Sequence, residues 1–126
     1  MGSEMCIRDS RYLNKQEIVY AMTLSAASNE QIVGAVGLAG FNNGLAVLGY
    51  WVGVHYWGHG YAFEAAQGLI SHCKARHGLT VVEVRHLIGN DRSQSVVEKL
   101  GIKYIADKVL VMHGRRRPVR LYRSAV

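Results

Sequence analysis

Apolar and polar positions along the first half of the chain predict three consecutive strands. Residues Ile18–Ser25 alternate in hydrophobicity, Ala26–Gln31 is turn-like, and Ile32–Phe41 is an apolar run. Asn42–Gly44 is a strong turn signal, and Leu45–Val54 returns as a third strand. Because short connections join neighbouring strands, the pattern predicts an antiparallel meander.

The hydrophobic period changes to that of a helix after Gly60. Six apolar residues recur at i, i+3, i+4, i+7, i+8 and i+11 and form one stripe: Ala62, Ala65, Ala66, Leu69, Ile70 and Cys73. The other side of the predicted helix is polar and carries Glu64, Gln67, Ser71 and Lys74. Gly78 is the natural C-terminal cap.

The remaining sequence predicts a strand, a short helix and a closing hairpin. Thr80–Ile88 alternates as a strand, and Gly89–Asn90 turns into a helix that carries Val96, Val97 and Leu100 and ends at Gly101. The hairpin comprises Ile102–Met112, a turn around Arg116, and Val119–Arg123.

A strand, helix and strand around the glycines of residues 58–60 form a βαβ unit, whose two strands are expected to be parallel. We therefore predict the fold class as α/β (α+β), with a mixed, mostly antiparallel sheet and two main helices.

The composition sets loose bounds on the kind of protein. A chain of 126 residues has the size of one domain with one core. No apolar run approaches the roughly 20 residues that cross a bilayer, so we expect no membrane partner. Cys6 and Cys73 lack a Cys-x-x-Cys spacing and predict free thiols in a reducing cytoplasm. His55 and His59 lie across a glycine turn and share no helix, so we expect no metal site.

The net charge of +6 indicates an acidic partner. The dense basic run Arg115–Arg117 falls between two predicted strands, where a solvated turn is expected. Basic residues are not interleaved with aromatic residues as they are in many nucleic-acid modules, so we do not expect a nucleic-acid partner.

The most informative segment joins an apolar strand to the first helix through a glycine-rich turn. Gly58 and Gly60 have no Cβ, so the turn can adopt positive φ and aim backbone N–H groups outward, beside a helix N-terminus that favours anions. This arrangement predicts phosphate binding. The dinucleotide fingerprint fails because Phe63 stands at its third glycine, and the P-loop fails because no Gly-Lys-Ser/Thr follows.

Two blocks of sequence resemble one known family. Trp57–Ala62 is similar to the Gln/Arg-x-x-Gly-x-Gly/Ala loop with which the GNAT superfamily of N-acetyltransferases binds acyl-CoA, with Trp57 at the Gln/Arg position. Asn90–Gly101 resembles that family's Asn-x-x-Ser-x-x-Val-Leu-Glu-Lys-Leu-Gly segment. The tryptophan variant is similar to the branch that contains the ribosomal-protein N-terminal acetyltransferases. The resemblance extends from about Glu17 to about Arg123 and implies transfer of an acetyl group from acetyl-CoA to a primary amine.

The resemblance also implies a site. The two parallel strands should splay apart and admit the pantetheine arm of CoA. The negatively charged phosphates of CoA would be the acidic partner that the positive net charge of the chain indicates. The implied cofactor-binding residues are Trp51, Val52, Gly53 and Val54 beside pantetheine, Trp57, Gly58, His59, Gly60, Tyr61 and Ala62 around the pyrophosphate, and Asn90 and Ser93 opposite. From the residues alone, Asn90 is equally well placed as an N-cap, Ser93 as a first-turn helix residue, and Trp51 as a core aromatic.

The implied chemistry is attack of an amine on a thioester, which needs a base and a proton donor for the departing thiolate. Many family members use a tyrosine on the short helix as donor, and Val97 stands at that position. Ser93 and Tyr104 are the candidates, with Ser93 preferred because the resembling branch places a serine there. Leu48 replaces the usual carboxylate of the glycine-loop strand, and no base is assigned among Glu64, Glu83 and Asp107.

We divide the chain into a tag-like leader at residues 1–10 and a single GNAT-like domain at residues 11–126. Complete GNAT domains begin with a strand and two helices that shape the acceptor pocket, and we expect this chain to lack them. The acceptor is then a protein N-terminus or a small-molecule amine. The strand Ile18–Ser25 would be an uncovered edge, which predicts a homodimer. Two alternatives are a non-catalytic acyl-CoA-binding domain and a small basic nucleic-acid-binding module.

Overall fold

A computed structural model describes residues 3–6, 17–24 and 31–126 of the chain. Within these residues, seven strands form one sheet in the order β1-β2-β3-β4-β5-β7-β6. Neighbouring strands are antiparallel except for β4 and β5, which are parallel. The elements are β1 (Ser3–Cys6), β2 (Glu17–Leu24), β3 (Ile32–Asn42), β4 (Leu45–Val52), a short 3-10 helix (Val54–Tyr56), α1 (Tyr61–Arg76), β5 (Val81–Leu87), α2 (Asp91–Leu100), β6 (Tyr104–Met112) and β7 (Arg115–Ala125). The predicted fold class is confirmed.

The N-terminal edge of the sheet differs from the expectation. Ser3–Cys6, which the sequence analysis placed in the leader, pairs antiparallel with β2, from Ser3 opposite Leu24 to Cys6 opposite Ala21. The expectation that β2 is the uncovered edge of the sheet is therefore wrong for the described structure, because β1 hydrogen-bonds to that side. The rest of the leader and most of the predicted turn at residues 26–31 lie outside the described residues.

Each of two hairpin turns contains two consecutive residues with positive φ, and the second of the two is a glycine. Asn43 and Gly44 have φ of 51° and 87°, and His113 and Gly114 have φ of 52° and 77°. Positive φ at both central residues gives a turn whose twist matches that of the flanking strands. The second turn corrects the predicted turn around Arg116, since Arg115–Arg117 belongs to β7.

Helix α1 packs its predicted stripe on the sheet. Ala65, Ala66, Leu69 and Cys73 are buried, and the predicted polar side is exposed. Their partners are core side chains of the strands, including Met22, Val36, Leu38, Leu48, Val82 and Val84. The helix ends as predicted, because Gly78 adopts φ of 67° and lets the N–H of Leu79 reach the carbonyl of Cys73 at 3.2 Å. Burial raises the pKa of the Cys73 thiol to about 11, so this cysteine is an inert core residue.

The parallel pair of strands separates partway along its length. β4 and β5 are paired from Leu45 opposite Val81 to Leu48 opposite Val84. Beyond this point β4 continues along β3 as far as Val52, while β5 continues along β7 as far as Leu87. The result is a wedge-shaped opening within the sheet.

Candidate active site

The glycine-rich turn carries the chain from the opening to the start of α1. Gly58 and Gly60 adopt φ of 84° and 75°, and a Cβ at either position would meet nothing within 4 Å. Backbone conformation, not space, therefore requires glycine at both positions. Gly60 is also the N-cap of α1 and offers no capping side chain, so the first N–H groups of the helix remain available to an anion.

A cleft of about 550 Å³ lies between the end of β4, the glycine turn and the two helices. Nine of the residues predicted to bind the cofactor line it: Trp51, Val52, Trp57, Gly58, Gly60, Tyr61, Ala62, Asn90 and Ser93. The structure thus brings the two sequence blocks together around one cavity. Four other predicted site residues are not among the lining residues, namely Gly53, Val54, His59 and Tyr104.

These four residues have other surroundings. The N–H of Gly53 donates to the carbonyl of Val33 at 2.8 Å, and Val54 begins the 3-10 helix with its side chain exposed. A ring nitrogen of His59 lies 3.1 Å from the carbonyl of Tyr56, and the ring stacks on Tyr61. Tyr104 lies on β6, where β7 separates it from β5, and its ring packs edge-on against Tyr122.

Trp57 connects the two walls of the cleft. Its indole N–H donates to the carbonyl of Val52 at 2.8 Å. The guanidinium of Arg92 lies 3.3 Å from the centroid of the indole ring, a cation–π contact between the glycine turn and α2. The tryptophan that replaces the family's Gln/Arg therefore holds the turn against β4 and α2.

The start of α2 forms the opposite wall. The side-chain oxygen of Asn90 accepts a hydrogen bond from the N–H of Ser93 at 3.1 Å, which confirms Asn90 as the N-cap. The hydroxyl of Tyr50, across the cleft, donates to the carbonyl of Ser93 at 3.3 Å. Burial raises the pKa of Tyr50, so its hydroxyl stays protonated at neutral pH.

The sequence analysis did not identify two positively charged side chains of the cleft. Arg92 and Lys99 both line it, together with Ser95 and Val96 between them. Their spacing of i, i+3, i+4 and i+7 puts these residues on one face of α2. That periodicity is visible in the sequence, but only the position of α2 in the fold makes this face a wall of the cleft.

Two of the three carboxylates that the sequence left open as bases, Glu83 and Asp107, are paired with arginines. Burial by itself raises the pKa of Glu83, but hydrogen bonds from Arg123 and Arg85 more than reverse this and hold it below its ordinary value. Arg120 lowers the pKa of Asp107 in the same way, through hydrogen bonds of 3.0 and 3.3 Å. A lowered pKa makes both carboxylates weak bases.

Comparisons with known proteins agree with this geometry. A search of solved structures finds a probable acetyltransferase (TM-score 0.77, 21% identity, covering 90% of this chain and 64% of that one). It also finds an acetyltransferase from Salmonella typhimurium that modifies the N-terminal serine of ribosomal protein L7/L12 (TM-score 0.79, 15% identity, coverage 91% and 67%). A third match is RimJ of Mycobacterium smegmatis in complex with CoA-disulfide (TM-score 0.76, 23% identity, coverage 89% and 54%).

The chain spans about two thirds or less of the length of these proteins, and at such identities the likeness shows a shared fold. No curated protein sequence is significantly similar to the chain. No helix among residues 3–6, 17–24 and 31–126 is long and apolar enough to cross a membrane.

The family model of the acetyltransferase (GNAT) domain matches residues 3–103. The chain therefore belongs to the GNAT acetyltransferase family.

Proposed function

We propose that the protein binds acetyl-CoA in the cleft and transfers its acetyl group to a primary amine, either a protein N-terminus or a small molecule. One observation carries the proposal: the opening between β4 and β5 leads directly to a glycine turn and a helix N-terminus within one cavity. An extended arm can lie in the opening while the attached phosphates meet the free amides of the turn.

Different residues of the cleft wall contact different parts of acetyl-CoA. The pyrophosphate lies against the residues from Trp57 to Ala62, with Arg92 and Lys99 supplying positive charge from α2. Strand alternation turns the backbone groups of Gly53 towards β3, where its N–H is bonded. The backbone groups of Tyr50 and the N–H of Val52 face the opening, while the carbonyl of Val52 accepts from Trp57. The pantetheine amides pair with these outward groups.

The chemistry forms one bond and breaks another. The neutral amine nitrogen attacks the thioester carbonyl carbon, the C–N bond forms and the C–S bond breaks. The leaving sulfur takes a proton from a donor and departs as the thiol, and the proton that the nitrogen loses restores the donor. Ser93 is the donor we favour, since it lines the cleft and Tyr104 does not. Tyr50 is a second candidate that the sequence reasoning missed, because it also lines the cleft and keeps its proton.

The decisive experiment replaces Gly60 by aspartate. Gly60→Asp places a negative charge where the proposal has the pyrophosphate, so we expect acetyl-CoA binding to be lost in titration calorimetry. Gly114→Asp is the matched control, because Gly114 has nearly the same φ of 77° and equally open surroundings but lies in the distant hairpin. Wild-type affinity in Gly60→Asp would exclude the glycine turn as the binding site.

A thiol-release assay then separates transfer from binding alone. Acetyl-CoA binding without acceleration by any amine would favour the non-catalytic alternative. Salt-dependent binding of RNA or DNA without binding of acetyl-CoA would favour the nucleic-acid module.

We also propose that the protein is a cytoplasmic homodimer. With β2 covered by β1, the described sheet ends on its other side at β6. Ile105, Val109 and Val111 of this strand are 52%, 59% and 73% exposed. A long apolar edge strand is a template for pairing with another chain, and two copies of β6 can pair antiparallel about a two-fold axis.

A further inference from the structure

A buried carboxylate holds two arginines on the side of the sheet opposite the helices. Glu83 is 2% exposed. One of its oxygens accepts from Nε of Arg85 at 2.6 Å, and the other accepts from Nε and Nη2 of Arg123. The side chains of the two arginines are 44% and 48% exposed. The cluster therefore has a buried anion at its base and two half-exposed guanidiniums above it.

The cluster lies beside the inner end of the opening. Leu48 and Val84 form the last pair between β4 and β5, so Gly49 and Arg85 are the first residues beyond the split. Successive residues of a strand face opposite sides of the sheet. Gly49 and the side chain of Arg85 therefore face the side opposite to the one on which Leu48 and Val84 are buried. Arg123 stands directly opposite Glu83 in the pairing of β5 with β7.

The acceptor has to approach from this same side. The proposed cosubstrate enters along the opening with its phosphates at the glycine turn, which brings the thioester towards the inner end. Helices α1 and α2 cover the other side of the sheet at this level. Gly49 leaves the route open, since it is exposed and a Cβ there would meet nothing within 4 Å.

The charges of the three side chains in the cluster do not balance. One carboxylate neutralises one of the two guanidiniums, so a net positive charge remains. The contacts to Glu83 use Nε and Nη2 of each arginine, and no contact to either Nη1 is present among the described residues. Both Nη1 groups can therefore donate to a further acceptor. Because Glu83 fixes both planes, this further acceptor meets donors that are already oriented.

We propose that Arg85 and Arg123, oriented by Glu83, bind a carboxylate of the acceptor, so that the preferred substrate is an amine that also carries an acidic group. This inference rests on the proposed acetyl transfer and adds the substrate class. The acidic group belongs either to a peptide with acidic residues near its N-terminus or to a small amino acid, and both present the same carboxylate to the same two arginines.

The test compares acceptors that differ only in charge. One pair is a tetrapeptide amide with two aspartates after its first residue and the same peptide with two asparagines. The other pair is γ-aminobutyrate and its uncharged amide. We expect kcat/KM in the thiol-release assay to favour the acidic member of at least one pair by about tenfold, the effect of one charge-assisted contact. The pair that shows the preference identifies the source of the carboxylate.

Arg123→Gln tests whether the cluster causes the preference. Glu83 keeps Arg85 in this variant, so the buried carboxylate stays paired. We expect the acidic preference to fall to about twofold or less, while kcat/KM for the neutral acceptor and the Kd of acetyl-CoA stay unchanged. Arg117→Gln is the control, since it removes the same charge from the same face of β7, six residues away, and should keep the preference.

Different failures have different meanings. Turnover of both acceptors at equal rates by the wild-type protein, or an acidic preference that persists in Arg123→Gln, overturns the inference and leaves the acetyl transfer standing. No binding of acetyl-CoA overturns both.

Discussion

At the scale of single residues, some residues of the cleft wall also have a structural role. Ser93 illustrates this, because its N–H bonds to Asn90 and its carbonyl accepts from Tyr50. Both contacts involve its backbone, so the side chain can be changed without removing either. The structural role of Ser93 therefore belongs to its backbone, and its proposed chemical role belongs to its side-chain hydroxyl.

Ser93→Ala should therefore affect the chemical step. If the hydroxyl protonates the leaving thiolate, we expect kcat to fall by about 10²-fold, with little change in the Kd of acetyl-CoA. Ser95→Ala is the control on the same wall of the cleft. Steady-state kinetics that return a wild-type kcat for Ser93→Ala would transfer the proposed role to Tyr50, and Tyr50→Phe would then be the variant to measure.

The residues of the cleft differ in how far the sequence alone could predict them, because only some positions are fixed by the backbone. Gly58 and Gly60 were identified because positive φ is a property of the chain itself. Arg92 and Lys99 were missed because a helix face becomes a cleft wall only when the helix has its place in the fold. Tyr104 was named without knowledge of the strand order, which puts β7 between it and the opening.

At the scale of elements, periodicity and turn chemistry predicted most of the helices and strands. The stripe of α1 and its glycine cap required no tertiary information. The start of β7 was not predicted, because Arg115–Arg117 is exposed on both faces of a projecting hairpin and has no apolar alternation. Pairing of Ser3–Cys6 with β2 was missed for a related reason, since four residues are too short to show a period.

The joint between β5 and β7, formed by Glu83 and Arg123, contains a buried charge whose effect on stability depends on pH. The pKa of Glu83 is lowered in the folded protein from an ordinary value of 4.5, so its stabilising effect is present above this pH and is lost as the pH falls below it. We expect Glu83→Gln to lower the free energy of unfolding by about 1 to 3 kcal/mol at pH 7, since both arginines are half exposed.

Urea titrations at pH 7 and pH 3 measure this effect. The difference between wild-type protein and Glu83→Gln should shrink at the lower pH, where the wild-type carboxyl begins to take up its proton. A difference that is the same at both pH values would show that the carboxylate charge is not what stabilises the joint.

At the scale of the whole molecule, the edge strand β6 carries five of the eleven large apolar residues that are exposed in the described structure. Val109 and Val111 alternate on one face of the edge strand β6 and face solvent in a single copy. The sequence analysis predicted an uncovered edge at β2, which β1 covers in the described structure. The order of strands depends on long-range pairing, so the sequence pattern does not show which strand lies at an edge.

Val111→Lys should disrupt the proposed dimer. A lysine on each of two paired edges brings like charges together, so we expect light scattering at micromolar concentration to change from a dimeric to a monomeric mass. Ile32→Lys is the control, since Ile32 is also exposed, at 51%, but starts β3 near the middle of the sheet. A wild-type protein that is already monomeric would refute the dimer.

The separation of β4 from β5 has a consequence for the exchange of backbone amide hydrogens with solvent. Within a few residues of β4, alternate amides belong to two classes: those of Trp51 and Gly53 face β3, and those of Tyr50 and Val52 face the opening. We expect the second class to exchange rapidly in the free protein and to become protected when acetyl-CoA is added, while the first class is slow throughout. Mass spectrometry or NMR with single-residue resolution can follow both classes in one sample. Acetyl-CoA would then act as a removable strand, so that one part of the sheet acquires its full set of hydrogen bonds only while the cosubstrate is bound.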